Sequence, residues 1–452
     1  ATGMLTEASK AQNAAADPDH STWLSANAGS GKTRVLTDRV ARLLLRGTDP
    51  QNILCLTYTK AAAGEMQNRL FSNLGEWAML SDDKLSERLA ALGETDVDDL
   101  SRARTLFARA IETPGGLKIQ TIHSFCSALL RQFPLEAAVT PGFVELDERG
   151  QRDLIETVLD DLAETNQEAI RPVSRIYSGE NLVALGKEVA SARDSFARHL
   201  DRRGVFDLFD LEHGLTREAL LSRALTDADL DFLKSLAPLL PASGAPTDRS
   251  LGTVLSGLPD SANIAVLETL EASFVFKTGA NAGSAKVGKI PTKATREGAF
   301  ASHLERFDAI MERVAEARPT RIALQAAEKT CALHGFANAF LPAYQEAKTA
   351  RGVVDFDDLI RLARELLSDR ALEWVLFRLD ARIDHILVDE AQDTSPAQWS
   401  VIATLAEEIA SGEGSRPNVP RSLFVVGDKK QSIYSFQGAD AHAFDHMADA
   451  FH

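Results

Sequence analysis

Residues 23–33 read WLSANAGSGKT. Trp23 to Ala26 is a short apolar run. From Lys32 onward, KTRVLTDRVARLLLRG places Val35, Leu36, Val40, Leu43 and Leu44 on one helical stripe. A strand, a glycine-bearing turn and a helix are therefore expected in direct succession. Ala26–Thr33 fits the spacing of a phosphate-binding loop, with Ala26 where a first glycine would stand. Gly29 and Gly31 let the backbone turn so that several N–H groups face one anion. The helix N-terminus adds a favourable dipole. Ala28, Gly29, Ser30, Gly31, Lys32, Thr33 and Arg34 are the candidate nucleotide contacts. Lys32 would neutralise the β and γ phosphates of ATP, and the Thr33 hydroxyl can ligate Mg²⁺. The alternative is a plain glycine turn before a helix.

Four more short runs have the same character: Ile53–Tyr58, Lys118–Ile122, His385–Val388 and Ser422–Val426. Helix-like stretches follow most of them, which predicts an α/β fold with a parallel sheet covered on both faces. Residues 136–350 read differently. Leu- and Ala-rich stretches such as QRDLIETVLDDLAE predict a mainly helical insertion domain, leaving residues 1–135 and 351–452 as one discontinuous α/β domain. Within the insertion, the basic glycine-rich segment with Lys286, Lys289, Lys293 and Arg296 reads as a mobile solvated loop, with contact to duplex DNA as the alternative.

The bulk properties set limits. The 452 residues call for two or three compact units. No apolar run approaches the length of a membrane span, so no membrane role is expected. Cys55, Cys126 and Cys331 are widely spaced and form no ligand cluster, which points to a reducing cytoplasm. The net charge of −16 weakens the case for a nucleic-acid partner but leaves room for a local basic groove.

HILVDEAQD, His385–Asp393, drives a buried strand into two adjacent acids. At the carboxyl edge of a parallel sheet these would lie beside the phosphate loop. Asp389 would then hold Mg²⁺, and Glu390 would polarise an attacking water. An acidic strand end and a solvated turn is the bland alternative. A third strand, from Ser422, ends at Gly427 and Asp428, and Gln431 follows, a neutral amide suited to sensing a γ-phosphate. Tyr434 and Phe436 suit base stacking, with core packing as their commoner fate.

Taken together, these segments resemble the first motor domain of superfamily-1 DNA helicases of the UvrD/RecB type. LTYTKAAAGEM, Leu56–Met66, resembles the family's strand-contacting segment, which implies DNA-phosphate contacts from Thr57 and Thr59; ordinary strand positions are the alternative. TIHSFC, Thr121–Cys126, implies a DNA-side His123, and a satisfied core histidine is its alternative. DFDDL, Asp355–Leu359, is similar to the stretch where the family's chain re-enters the first domain. Gln12 stands where the family keeps an adenine-reading glutamine. Gln437 stands where the family often has arginine. The wording is closest to AddA subunits of the AddAB double-strand-break repair enzymes, of alphaproteobacterial type.

The resemblance implies a RecA-like P-loop NTPase domain, an ATP-dependent 3′→5′ motor on DNA ends, Mg²⁺ as cofactor and an AddB-like partner. It also implies that the chain is the N-terminal portion of a longer protein, lacking the arginines of a second motor domain. On that expectation it hydrolyses ATP very slowly alone. A non-catalytic nucleotide-binding scaffold module is the competing reading, disfavoured by the intact set Lys32, Thr33, Asp389, Glu390 and Gln431.

Overall fold

A computed structural model of the chain describes residues 7–25, 31–95, 100–113, 116–240, 244–368, 373–380, 382–410 and 419–428. The chain divides into two compact units, Ala1–Gln151 with Lys348–His452, and Arg152–Ala347.

The described residues of the first unit hold seven strands: β1 (Thr22–Ser25), β2 (Ile53–Thr57), β3 (Lys118–Thr121), β4 (Val144–Glu145), β5 (Val353–Val354), β6 (His385–Val388) and β7 (Ser422–Gly427). Five form one all-parallel sheet in the order β1-β7-β6-β2-β3. The apolar runs are continuous because both faces are covered. Side chains alternate faces along a strand. The row Trp23, Val425, Val388 and Leu56 packs against the helices Ile122–Gln132, Phe356–Ser368 and Pro396–Ala410. The next row, Phe424, Leu387, Cys55 and Ile119, packs against Lys32–Leu45, Lys60–Met79 and Leu100–Glu112.

Two buried polar devices fix this unit. Arg39, fully buried on the helix Lys32–Leu45, donates to the carbonyls of Asp17 at 2.7 Å and His20 at 2.6 Å and to the Ser422 hydroxyl at 3.0 Å. It thereby ties the segment entering β1 to the start of β7. Lys348, 2% exposed, donates to Asp355 at 2.9 Å and also to Asp358. Arg361 adds a bond to Asp358 at 2.9 Å. Burial works against the Asp358 charge, but Lys348 and Arg361 outweigh it and hold the carboxyl below its ordinary range.

β4 and β5 pair with each other as a small parallel ribbon within this unit. Each has two residues, too few for a period-2 signal, so the expected exit from the α/β domain at 136 falls short of the ribbon. The second unit is helical among its described residues, apart from one antiparallel bridge, Val275 with Ala285. Its cores gather Leu, Val and Phe side chains along the helix Leu304–Arg351. Bidentate bonds from Arg321 to Glu271, at 2.6 and 2.7 Å, serve as a buried crosslink.

The basic segment is anchored, contrary to the expectation of a mobile loop. Lys286 donates to the Ser273 carbonyl at 2.9 Å, and Arg296 grips Asp308 at 3.0 and 2.5 Å. Asp248 accepts from the Thr292 amide and hydroxyl, both at 2.7 Å, and from Thr295 at 2.6 Å. Lys286 and Arg296 are therefore engaged internally, and Lys293 pairs with Glu297 at 3.7 Å on the surface.

Lys348→Met removes the buried cation that Asp355 and Asp358 share and leaves Asp358 with Arg361. Denaturant melts should show a loss of about 3–5 kcal/mol, whereas a change within ~1 kcal/mol would mark an ordinary surface pair. Asp358 has a depressed folded pKa. Its contribution is therefore present above the unfolded carboxylate value of about 3.9 and disappears as pH falls below it.

Candidate functional site

All five sheet strands run parallel, so their C-terminal ends share one edge. β1, β7 and β6 are neighbours there, which brings the end of β1, the end of β7 and the acids after β6 to adjoining places. Gly31 precedes the helix Lys32–Leu45 with φ of 79°, a left-handed conformation that favours glycine. A Cβ at Gly31 would stand 3.1 Å from Nε2 of Gln12, a tight approach that the flexible end of Gln12 would have to relieve, so the case for glycine here is conformational. This contact also puts Gln12, on the helix Glu7–Ala15, beside the phosphate-loop segment.

Lys32 and Thr33 open the helix. Arg34 points away, two-thirds exposed, and pairs with Asp38 at 3.6 Å. Lys32 Nζ is buried, has no hydrogen-bond partner among the described residues and lies 3.8 Å from Glu390 Oε2. Ala28, Gly29 and Ser30 lie outside the described residues, as do Gln431, Tyr434 and Phe436.

Asp389 extends the ladder, its amide donating to the Leu56 carbonyl at 2.9 Å. Its carboxyl accepts from the Glu390 amide at 2.9 Å. Burial, and then the Glu390 charge, push it up to about 6, against the pull of Lys32. Glu390 has φ of 53°, a strained position for a side-chain-bearing residue, worth about 1–3 kcal/mol, and it caps the short turn Ala391–Asp393. The side chain of Gln392 donates to Glu390 Oε2, and its Oε1 accepts from the Asp428 amide at 2.8 Å. Sequence reasoning passed over Gln392, although it stands two residues beyond Glu390.

This donor set fits Mg²⁺ with a polyphosphate. A buried ammonium with no hydrogen-bond acceptor among the described residues faces the Glu390 carboxylate, beside the raised carboxyl of Asp389. No group of three or more His, Cys, Asp or Glu able to hold a metal occurs among the described residues. Mg²⁺ does not require one, because it takes one or two carboxylates and completes its shell with phosphate oxygens and water.

The candidate DNA-side residues follow β2 and β3. Thr57, buried at the end of β2, donates to the Thr59 carbonyl at 3.1 Å. Thr59 caps the helix Lys60–Met79 by accepting from the Ala62 amide at 3.1 Å. His123 is half-buried, and burial holds its pKa below the ordinary histidine value against Asp357 and Glu145. Its ring meets Phe356 edge-on at 5.4 Å. Phe356 is half exposed, and sequence reasoning missed it; the signal was an aromatic placed among acids at a helix start.

The sequence matches the family model described as UvrD/REP helicase N-terminal domain over residues 7–452. The chain belongs to the UvrD/REP helicase family. Among its curated relatives, the A subunit of the ATP-dependent helicase/nuclease of Latilactobacillus sakei is 27% identical over 97% of the chain and 50% of that protein. The protein of the same name from Exiguobacterium sibiricum is 28% identical over 93% of the chain and 35% of its own length. That of Pediococcus pentosaceus is 24% identical over 94% and 34%. The chain thus spans between about a third and a half of the relatives it matches. No helix among the described residues is long and apolar enough to cross a membrane.

The acid pair has a measurable consequence. The folded pKa of Asp389 is raised, so the folded state holds a proton between about 3.9 and about 6 that the unfolded chain has lost. Stability falls as pH rises through that window, and the penalty is complete above it. In the absence of Mg²⁺ and nucleotide, Asp389→Asn should raise stability at pH 7 by roughly 1–3 kcal/mol, and the gain should vanish near pH 4. A destabilised Asn variant at pH 7 would contradict this reading of the carboxyl.

Proposed function

We propose that this chain is the ATP-binding and DNA-gripping part of an ATP-dependent 3′→5′ DNA helicase or translocase of recombinational double-strand-break repair. In this reading the α/β unit is a RecA-like motor domain and the chain is of AddA type, working in the cytoplasm on DNA ends with an AddB-like partner. The names of the relatives support the AddA reading; the three relatives named come from Gram-positive bacteria and not from the alphaproteobacteria that the motif wording suggests.

The observation that carries the proposal is the buried Lys32 ammonium facing Glu390, next to a carboxyl whose pKa is raised. Lys32 would bind the β and γ phosphates of ATP. Thr33 and Asp389 would hold Mg²⁺, which when bound supplies charge neutralisation at the phosphate oxygens. Glu390 would take the proton of the attacking water and Gln431 would sense the γ-phosphate. Gln12, beside Gly31, would read the adenine edge. Thr57, Thr59, His123, Phe356, Tyr434 and Phe436 would track the strand. A neutral His123 packed on Phe356 suits stacking and hydrogen bonding better than charge pairing.

ATP hydrolysis by the protein containing this chain should be stimulated by single-stranded DNA. Glu390→Gln should lower kcat by about 10²–10⁴ and leave ATP affinity nearly unchanged. Hydrolysis indifferent to DNA, or a fully active Glu390→Gln variant, would overturn the proposal.

A further inference from the structure

Gln392 lies in the turn Ala391–Asp393 and is 1% exposed. The Glu390 oxygen to which it donates is the one that faces Lys32 Nζ. Its own oxygen accepts the backbone N–H of Asp428, the residue following β7. One side chain thus bridges the turn after β6 and the peptide leaving β7. The bridge needs a donor at one branch and an acceptor at the other. Glutamate cannot supply the donor while ionised, methionine supplies neither, and asparagine is one methylene shorter. The bond to the Asp428 amide is buried, so losing it costs more than losing a solvated one, while the donor at Glu390 fixes the direction of a partly exposed carboxylate. Glu390 also sits on a left-handed backbone, so its carboxylate direction depends on its side-chain partners.

We propose that Gln392 is a positioning residue that aims the Glu390 carboxylate and couples its direction to the peptide at Asp428. The inference rests on the reading of Glu390 as the group that polarises the attacking water. The sequence after Asp428 carries Gln431, Tyr434 and Phe436, the candidate phosphate-sensing and DNA-stacking residues. A displacement of the Asp428 peptide would reach Glu390 through one carboxamide, so part of the DNA stimulation of hydrolysis passes through Gln392.

The test compares Gln392→Met with Gln392→Glu in the protein containing this chain. Steady-state ATPase with and without single-stranded DNA is measured alongside hydrogen exchange at the Asp428 amide. Gln392→Met should lose kcat roughly 10–100-fold, with KM for ATP little changed, reduced DNA stimulation and faster Asp428 exchange. Gln392→Glu keeps the acceptor but loses the donor, so kcat should fall while Asp428 stays protected. Wild-type kcat in both variants, with Glu390→Gln inactive, overturns the role of Gln392 alone. Survival of hydrolysis in Glu390→Gln overturns the underlying reading of Glu390 instead. If one variant fails to fold, the other still decides. A fall in kcat matched by an equal rise in KM, with a lowered melting temperature, marks a merely structural amide and also counts against the proposal.

Discussion

A buried ammonium beside two acids at the edge of a parallel sheet is the constraint on which the site depends. Lys32 is desolvated and without a hydrogen-bond acceptor among the described residues, and the Asp389 carboxyl is pushed up by burial and by Glu390. Neither arrangement is favourable in isolation. On the proposed reading, a polyphosphate and a divalent cation would complete the charges and make both favourable. The site therefore holds instability, and the strained backbone at Glu390 adds to it.

The rest of the first unit keeps those groups in place. Parallel strands with both faces covered put the C-terminal ends of β1, β7 and β6 at one edge, and the two side-chain rows bury into separate helical layers. Arg39 fixes the approach to β1 from the far side of the sheet, and the Lys348 triad secures the start of the helix Phe356–Ser368. Both are buried cations whose partners are specific oxygens, and such groups favour one arrangement over its near alternatives.

Much of this was legible in the sequence. The five sheet strands were visible as apolar runs because strands buried on both faces cannot alternate in polarity. Gly31 was legible because a left-handed turn before a helix restricts that position to few residue types. Other features depend on partners distant in the chain. Arg39 stands amid an apolar helical stripe, yet its role appears only when Asp17, His20 and Ser422 surround it. Asp248 anchors the basic segment across 44 positions of sequence, and no local pattern announces it. Gln392 was hidden for a geometric reason: only the short turn after Glu390 and the adjacency of β6 and β7 turn that amide into a bridge.

The central claim is that Lys32 awaits a phosphate. The most direct measurement is the equilibrium dissociation constant of Mg·ATP for the protein and for its Lys32→Ala variant, taken at one ionic strength with folding verified. The account predicts that affinity collapses by roughly 100-fold or more, the scale of a lost charge-assisted contact of about 3 kcal/mol. An affinity unchanged by the substitution would contradict it.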